Sequence, residues 1–133
     1  MEILIDADVI IQGEQGKFDL ESWLAAHTDE KLAVAAITVS ELWHGVERAI
    51  GKRRIKRRRI IRTILKRLPV FPFTERTAYM YAKLWAYLEV KGMMIGNHDL
   101  IVAATAREKD YAVATFNKKH FSKVPGLKIV VPT

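Results

Sequence analysis

Short apolar runs alternate along this chain with segments in which apolar residues recur every three or four positions. Unbroken runs are typical of strands buried on both faces of a parallel sheet, whereas the recurring pattern is typical of helices with one buried face. The runs predict strands over residues 2–11, 32–37, 70–73, 111–115 and 128–131. The recurring pattern predicts helices over residues 18–26, 39–46, 52–68 and 75–90, and a further helix that begins at Asn97 or His98. This alternation predicts an α/β domain built on a mainly parallel sheet of four to five strands.

Residues with strong local preferences refine these boundaries. Thr38 predicts the N-cap of the helix after the second strand, and Ser40 is a second candidate for the same position. Thr74 predicts the cap of the long helix that follows the third strand, and Gly92 predicts its end. Residues 13–16 hold two glycines among polar residues, which predicts a loop after the first strand.

Length and composition limit the class of protein. A chain of 133 residues, half of them hydrophobic, predicts a single folded domain over residues 1–133. The absence of cysteine excludes disulfides, thiol catalysis and cysteine-based zinc sites. No apolar run approaches the ~18 residues that a membrane helix needs, and the acidic start MEILIDAD is unlike a signal peptide. We therefore expect a soluble, cytoplasmic protein with no membrane partner.

Positive charge is concentrated in one segment. The net charge is +7, but residues 52–67 hold ten of the 22 basic residues and no acidic one, so the remainder is mildly acidic. Like charges one helical turn apart repel each other, so a run this dense favours contact with a polyanion over a solvated helix face. The residues that we expect to make this contact are Arg53, Arg54, Lys56, Arg57, Arg58 and Arg59.

Three acidic residues in separate stretches are the candidates for catalytic chemistry. Asp6 lies in ILIDADVII with Asp8 close by, Glu41 lies in ITVSELWHGV, and Asp99 lies in IGNHDLIVAATA. Functional groups of parallel α/β sheets collect at the carboxyl ends of the strands, so these carboxylates could share one edge. Such a pocket would bind Mg²⁺ or Mn²⁺, and two ions about 3.5–4 Å apart could promote in-line cleavage of a phosphodiester.

Each carboxylate also has a purely structural interpretation. Glu41 follows Thr38 by three residues, which is the spacing of a capping box. Asp99 would suit the positive end of a helix dipole, and Asp6 with Asp8 could form a turn after a strand. Their joint placement is what favours a metal site.

The ordered set DADVII, ITVSELWHGVERA, DLIVAATA, ATFNKKHF and PGLKIVVP resembles the PIN-domain family, and most closely its VapC-type toxins. The resemblance spans nearly the whole chain. It implies a three-layer α/β/α fold and an endoribonuclease that depends on Mg²⁺ or Mn²⁺ and cuts RNA with metal-activated water. By this resemblance Asp6, Glu41 and Asp99 are metal-binding catalytic residues, Asp8 supports the site, and Asn117 orients a ligand or the attacking water.

The resemblance also implies partners and one departure. The partners are a VapB-like antitoxin, which could compete with RNA for the basic segment, and a second copy of the chain in a homodimer. The departure is His120, which stands where the family often has a fourth acidic residue, and which is either a weaker metal ligand or a surface residue. His44 and His98 could also lie near the pocket. The alternative function is a non-catalytic nucleic-acid-binding or regulatory module with an incomplete acidic pocket.

Overall fold

The computed structural model describes all 133 residues, which form five strands and seven helices. The strands are β1 (Glu2–Ile5), β2 (Lys31–Ala35), β3 (Val70–Phe71), β4 (Ala112–Ala114) and β5 (Ile129–Val130). The helices are α1 (Ala7–Glu14), α2 (Leu20–Ala26), α3 (Ala36–Arg48), α4 (Gly51–Leu65), α5 (Glu75–Lys91), α6 (Asn97–Lys109) and α7 (Lys118–Phe121). None of the helices combines the length and the apolar character that crossing a membrane requires.

The sheet is entirely parallel, with strand order β3-β2-β1-β4-β5. In the central strand, Ile3 and Ile5 face a core shared with α1, α2 and α4, whereas Leu4 faces a second core shared with α5 and α6. The fold is therefore a three-layer α/β/α sandwich, which confirms the predicted fold class. Burial on both faces explains why the strands are continuous apolar runs.

The first prediction that the structure corrects is the strand over residues 2–11, because β1 ends at Ile5 and α1 begins at Ala7. Asp6 has extended backbone angles and its Oδ1 accepts a hydrogen bond of 2.9 Å from the amide of Ala7, so it is an N-cap. Apolar residues that follow such a cap suit a helix as well as a strand, which a short pattern cannot distinguish.

The predicted loop over residues 13–16 is also partly wrong, because Gly13 and Glu14 belong to α1. The reason for the glycine is packing rather than a turn. A Cβ at Gly13 would lie only 2.6 Å from Cβ of Leu20 at the start of α2. Gly13 therefore allows α1 and α2 to approach each other closely, at the usual cost of a glycine within a helix.

The predicted cap at Thr38 is wrong as well. The strand before it ends at Ala35, α3 begins at Ala36, and Thr38 is fully buried inside the helix. Its hydroxyl has no hydrogen-bond partner, so no capping box with Glu41 exists. The prediction fails because the second strand is two residues shorter than its apolar run, which moves the helix start toward the N-terminus.

The boundaries of α5 confirm the other local predictions. Thr74 accepts a hydrogen bond from the amide of Thr77, and the Thr77 hydroxyl accepts one in return from the amide of Thr74. Gly92 ends the helix with φ of 65°, a left-handed conformation that favours glycine. Three aromatic rings of this helix are exposed, since Tyr79 is 69%, Trp85 48% and Tyr87 40% exposed. These three rings therefore do not fill the core.

The basic segment forms α4, as predicted. Ile61 and Ile64 are buried against the first core, and Leu68 joins them beyond the end of the helix. Arg57 crosses to two other helices, since its Nε donates to Glu14 at 2.8 Å and its Nη1 donates to the carbonyl oxygen of Gly45 at 3.1 Å. Most of the other cationic groups of α4 lie at the surface.

Candidate functional site

The candidate site lies at the carboxyl edge of the three central strands. Asp6 directly follows β1 and its amide donates to the carbonyl oxygen of Ala114, so it is fixed to the end of β4. Thr115 follows β4 and its amide donates to Val130 of β5. Glu41 enters from α3, which follows β2. The edge at which functional groups of α/β proteins collect is thus the edge at which these residues meet.

Thr115 joins the two aspartates of the first segment. Its hydroxyl lies 2.9 Å from Oδ2 of Asp6 and 3.2 Å from Oδ2 of Asp8, and it accepts a hydrogen bond of 2.9 Å from the amide of Asn117. Asp8 also accepts a hydrogen bond of 3.1 Å from the amide of Phe116. One hydroxyl hydrogen cannot satisfy both carboxylates fully, so Thr115 orients the pair without neutralising it.

Asp6 is only 5% exposed, and its environment disfavours the ionised form. Burial, and then the negative charge of Asp8, raise the pKa of Asp6 from its ordinary value of 3.8 to about 7. The hydrogen bond from Thr115 opposes this rise, while the charge of Asp99 adds to it. Burial likewise raises the pKa of Asp8, with hydrogen bonds from Phe116 and Thr115 acting against the rise.

Glu41 has one oxygen that nothing satisfies. Its Oε1 is buried without a hydrogen-bond partner, and its Oε2 lies 3.8 Å from Nδ1 of His98. Burial raises the pKa of Glu41, the positive charge that His98 carries when protonated lowers it, and the charges of Asp99 and Asp8 raise it further. Buried acceptors are normally paired, so this oxygen is a position where a donor or a cation is expected.

Asp99, in the first turn of α6, contacts a small polar cluster. Its Oδ2 lies 3.2 Å from Nδ1 of His120, and the same nitrogen lies 2.8 Å from Nδ2 of Asn117. A ring nitrogen either donates or accepts a hydrogen bond. A protonated Nδ1 donates to Asp99, whereas an unprotonated Nδ1 accepts from Asn117 and leaves the Asp99 oxygen free.

The donor set of this edge fits a hard divalent cation. Burial, and then the negative charges of neighbouring carboxylates including Asp99, raise the pKa values of Asp6, Asp8 and Glu41, and one oxygen of Glu41 is buried without a partner. Oxygen ligands of this kind are those that Mg²⁺ and Mn²⁺ prefer. No three acidic or histidine side chains lie close enough together to form a ready-made cage. A cation would therefore have to draw these side chains together.

The structure brings together all the residues predicted from the carboxylate motifs and the segment after β4. Asp6, Asp8, Glu41 and Asp99 interact electrostatically, and Asn117 and His120 are hydrogen-bonded neighbours of one another beside Asp99. The predicted basic contacts lie on α4. Two of them are held in ion pairs on that side of the molecule, Arg54 with Glu47 and Arg57 with Glu14.

Sequence reasoning missed Thr115 and the contact of His98 with Glu41. The signal for Thr115 was available, because a hydroxyl residue at the end of a predicted strand lies at the same edge as Asp6. The position of His98 depends on how α6 packs beside α3, which the local sequence does not reveal. His44, also considered, is exposed and has no recorded polar contact with the carboxylates.

Comparison with known proteins adds to this geometry. The family described as "PIN domain" matches residues 3–127. A curated relative named "Ribonuclease VapC1", from Rickettsia felis, is 31% identical over 131 residues, or 98% of this chain and 96% of the relative. A "tRNA(fMet)-specific endonuclease VapC" from Salmonella typhimurium is 26% identical over 99 residues, or 74% of each chain. The structure of VapBC2 from Rickettsia felis, bound to a DNA fragment from its promoter, superposes with a TM-score of 0.90 at 25% identity and 98% coverage of both chains.

Proposed function

This chain belongs to the PIN-domain family and to its VapC ribonucleases, and we propose that it is a metal-dependent endoribonuclease, the toxin of a type II toxin–antitoxin pair. The observation that supports the metal dependence is the buried, unpartnered Oε1 of Glu41, whose pKa is raised by burial and by the charges of Asp99 and Asp8. A pocket of this charge is stabilised by a cation, and a cation beside a phosphodiester is the usual means of hydrolysing it.

Asp6, Glu41 and Asp99 are the residues that would hold Mg²⁺ or Mn²⁺, with Asp8 in support. When bound, the ion activates water and stabilises the leaving oxygen of an RNA phosphodiester. The raised pKa of Asp6 means that this carboxyl binds a proton near neutral pH in the metal-free protein, so cation binding would release that proton. Thr115 holds Asp6 and Asp8 in place, because it contacts both carboxylates.

Asn117 and His120 would act at the Asp99 side of the site. The backbone amide of Asn117 donates to the Thr115 hydroxyl and its side-chain Nδ2 lies 2.8 Å from Nδ1 of His120, which supports a role for this side chain in orienting a ligand or the attacking water. His120 contacts Asp99 through Nδ1, which leaves Nε2 as the nitrogen that could approach an ion. An imidazole contributes no negative charge and is a softer ligand than a carboxylate. A histidine at this position therefore makes the site more selective for Mn²⁺ over Mg²⁺ than an acidic residue would.

We further propose a VapB-like antitoxin and a second copy of the chain as partners. The antitoxin proposal is supported by similarity to VapBC complexes, and a cationic side chain in the carboxylate pocket would give the missing counter-charge. The homodimer proposal is supported by a contiguous aromatic cluster in which Tyr81 contacts both Phe73 and Trp85, and in which Phe73 is 47% and Trp85 48% exposed. We expect the protein to meet RNA and antitoxin in the cytoplasm.

Cleavage of RNA by the purified protein tests the proposal. Total cellular RNA, and separately its tRNA fraction, is incubated with Mg²⁺, with Mn²⁺ and with chelator, and the fragment ends are mapped. The Asp6→Asn protein is the test variant and Asp110→Asn is its matched control. Asp110 ends α6 in a left-handed conformation with φ of 60°, which asparagine also tolerates, and it takes no part in the site.

Discrete fragments that need both metal and Asp6, with full activity in Asp110→Asn, are the expected result. Cleavage that continues in chelator or in Asp6→Asn would show that the activity does not come from this site. RNA binding without cleavage under either metal would instead favour the non-catalytic module. In that case the variant His120→Asp tests whether the missing fourth carboxylate is the reason.

A further inference from the structure

Two adjacent spaces between α3 and α4 lie between Glu41 of the carboxylate site and a basic surface, and together they are called the α3–α4 cleft. The inner part of the cleft, about 60 Å³ in volume, is lined by Glu41, Gly45 and Arg57 among others. The outer part, a cavity of about 300 Å³, is lined by Gly45, Arg48 and Arg53 with Arg57 again at its wall. The two spaces share Gly45 and Arg57, so they are adjacent, and the Arg57 side chain lies between them because its Nη1 donates to the carbonyl oxygen of Gly45 at 3.1 Å. A path from Glu41 to the outer cavity therefore passes over the Arg57 side chain.

The path follows one face of α3. Glu41, Gly45 and Arg48 are spaced four and three residues apart, which places them in a row on the side of the helix that faces α4. This row extends about 10 Å along the helix axis. The carboxylate end of the row could thus hold one phosphate while the arginine end holds another phosphate of the same strand.

The arginines of the path that have no ion-pair partner lie at its outer end, away from Glu41. Arg57 is already paired with Glu14 at 2.8 Å, and nearby Arg54 is paired with Glu47 at 2.9 Å. Arg48 and Arg53 form no ion pair and no side-chain hydrogen bond, although both line the cavity. An anion in the cavity would therefore meet two guanidinium groups that have no other partner, and arginine is well suited to bind phosphate.

The start of α4 adds to this preference for an anion. The helix has no side-chain N-cap and no acidic residue in its first turn, and basic residues follow Gly51 directly. Positive side chains are unfavourable at the positive end of a helix. A phosphate in the adjacent cavity would relieve that repulsion, whereas an empty cavity would leave it in place.

Gly45 lets the Arg57 side chain lie close to α3 beside the path. It lies in the middle of α3, where glycine costs about 1 kcal/mol of helix stability relative to alanine. A Cβ at this position would point toward Arg57 and lie 3.7 Å from its Nη1, which is an ordinary contact. Alanine would therefore fit, but a longer side chain would fill the space between the two helices.

We propose that the α3–α4 cleft is the track for single-stranded RNA beside the cut, with Arg48 and Arg53 binding a phosphate that flanks the scissile bond. This inference rests on the proposed ribonuclease function and names how the substrate reaches that site. Phosphate contacts position a strand without choosing its sequence, so the track supplies affinity and register and leaves base selection to other surfaces.

RNA binding in the absence of chemistry tests the track. The Asp6→Asn protein in chelator is titrated into a fluorescent single-stranded RNA of about twelve mixed-sequence nucleotides, and anisotropy gives the dissociation constant from about 50 to 300 mM salt. Adding Arg48→Gln and Arg53→Gln should weaken binding roughly 10- to 100-fold at the lowest salt. It should also reduce the slope of log affinity against log salt by about 0.7, because each phosphate of a single strand that the protein neutralises contributes about 0.7 and both arginines bind the same phosphate.

The matched control removes the same charge from the opposite face of α4. Arg62 and Lys66 line a separate cavity on that face, and the variant Arg62→Gln with Lys66→Gln should leave the slope unchanged. Equal losses in the two double variants would overturn the proposal, since they would show a diffuse charge effect rather than a track. Melting temperatures of all variants exclude unfolding as the cause.

A second pair of variants fills the space between the helices without changing any charge. Gly45→Ala should bind RNA as the parent does, whereas Gly45→Leu should lose about as much affinity and slope as Arg48→Gln with Arg53→Gln. Equal binding by these two variants would overturn the proposal. A twelve-residue polyglutamate peptide tests the other kind of occupant, and stronger effects of Arg48→Gln with Arg53→Gln on this peptide than on RNA would assign the cleft to an acidic protein.

These measurements are separate from the test of the proposed function. Cleavage by the wild-type protein and its loss in Asp6→Asn decide whether the chain is a nuclease. The anisotropy series decides where the strand lies, because it is measured without metal and without cleavage. If the protein cleaves RNA but its RNA affinity does not change on substitution of Arg48, Arg53 and Gly45, the proposed function stands and the proposed track is wrong.

Discussion

Neutralising Asp6 is expected to stabilise the metal-free protein, although Asp6 is an essential residue of the proposed site. The variant Asp6→Asn keeps the contacts that matter for folding. Its Oδ1 can still accept from the amide of Ala7, and asparagine is as good an N-cap as aspartate. Its amide can donate to the hydroxyl of Thr115, which is then free to donate to Asp8.

The size of the effect follows from the pKa of Asp6. Because the folded protein holds this proton more tightly than the unfolded chain does, ionisation of Asp6 destabilises the fold as pH rises from about 4 to about 7. The rise of this pKa from 3.8 to about 7 means that ionised Asp6 lowers the free energy of unfolding by at most about 4 kcal/mol at pH 8. The asparagine amide must also be buried, so we expect a net gain of about 2 kcal/mol.

Thermal unfolding in chelator, at about pH 4.5 and about pH 8, measures this prediction. For a chain of 133 residues, a gain of about 2 kcal/mol raises the melting temperature by about 7 °C. The gain should appear at the higher pH and largely disappear at the lower one. Asp110→Asn should change neither value. An equal fall in melting temperature at both pH values would refute the reasoning, because Asp6 would then act only as a favourable cap.

Three further changes have definite expected results. Thr115→Val removes the hydroxyl that contacts Asp6 and Asp8, so a Mn²⁺ titration of cleavage should shift to concentrations roughly 10- to 100-fold higher, and an unchanged titration would contradict that role. Thr38→Val replaces a buried hydroxyl that has no partner, so the free energy of unfolding in urea should rise by about 1 kcal/mol; a fall would mean that the hydroxyl is satisfied. Gly92→Ala forces alanine into φ of 65° and should lower the free energy of unfolding by about 1 kcal/mol, whereas Gly45→Ala, inside α3 where a Cβ makes only an ordinary contact, should not.

The sequence predicts the parts of this fold that depend on the spacing of apolar residues and on the topology of a parallel sheet. Apolar runs identify all five strands, and the carboxyl-edge rule groups Asp6, Glu41 and Asp99 before any distance is known. Boundaries are less predictable, because the residues after Asp6 suit a strand and a helix equally well. Thr38 shows the same limit, since a threonine near the end of an apolar run can be a cap or a buried helical residue.

Contacts between distant segments explain the remaining differences. The pairing of Arg57 with Glu14 joins residues 43 positions apart, and the contact between Thr115 and Asp6 joins residues 109 positions apart. Each depends on how the helices cross over the sheet rather than on local preference. The pattern therefore shows that α4 is basic, but not which of its arginines are already paired and which are available.

The carboxylate site and the α4 helix differ in how much sequence change they tolerate. Asp6 lies between the central strand and α1, and it belongs to the part that tolerates little. Its backbone amide belongs to the hydrogen bonding of the sheet and its side chain begins a helix, so its carboxylate cannot move without disturbing both. The α4 helix is joined to α3 by two residues, Ala49 and Ile50, and is held against the body by buried isoleucines and by the contacts of Arg57 with Glu14 and Gly45. Exchanging this helix between related enzymes, with Arg57 and its partners kept, would therefore change the strength of RNA binding while the machinery that breaks the bond stays as it is.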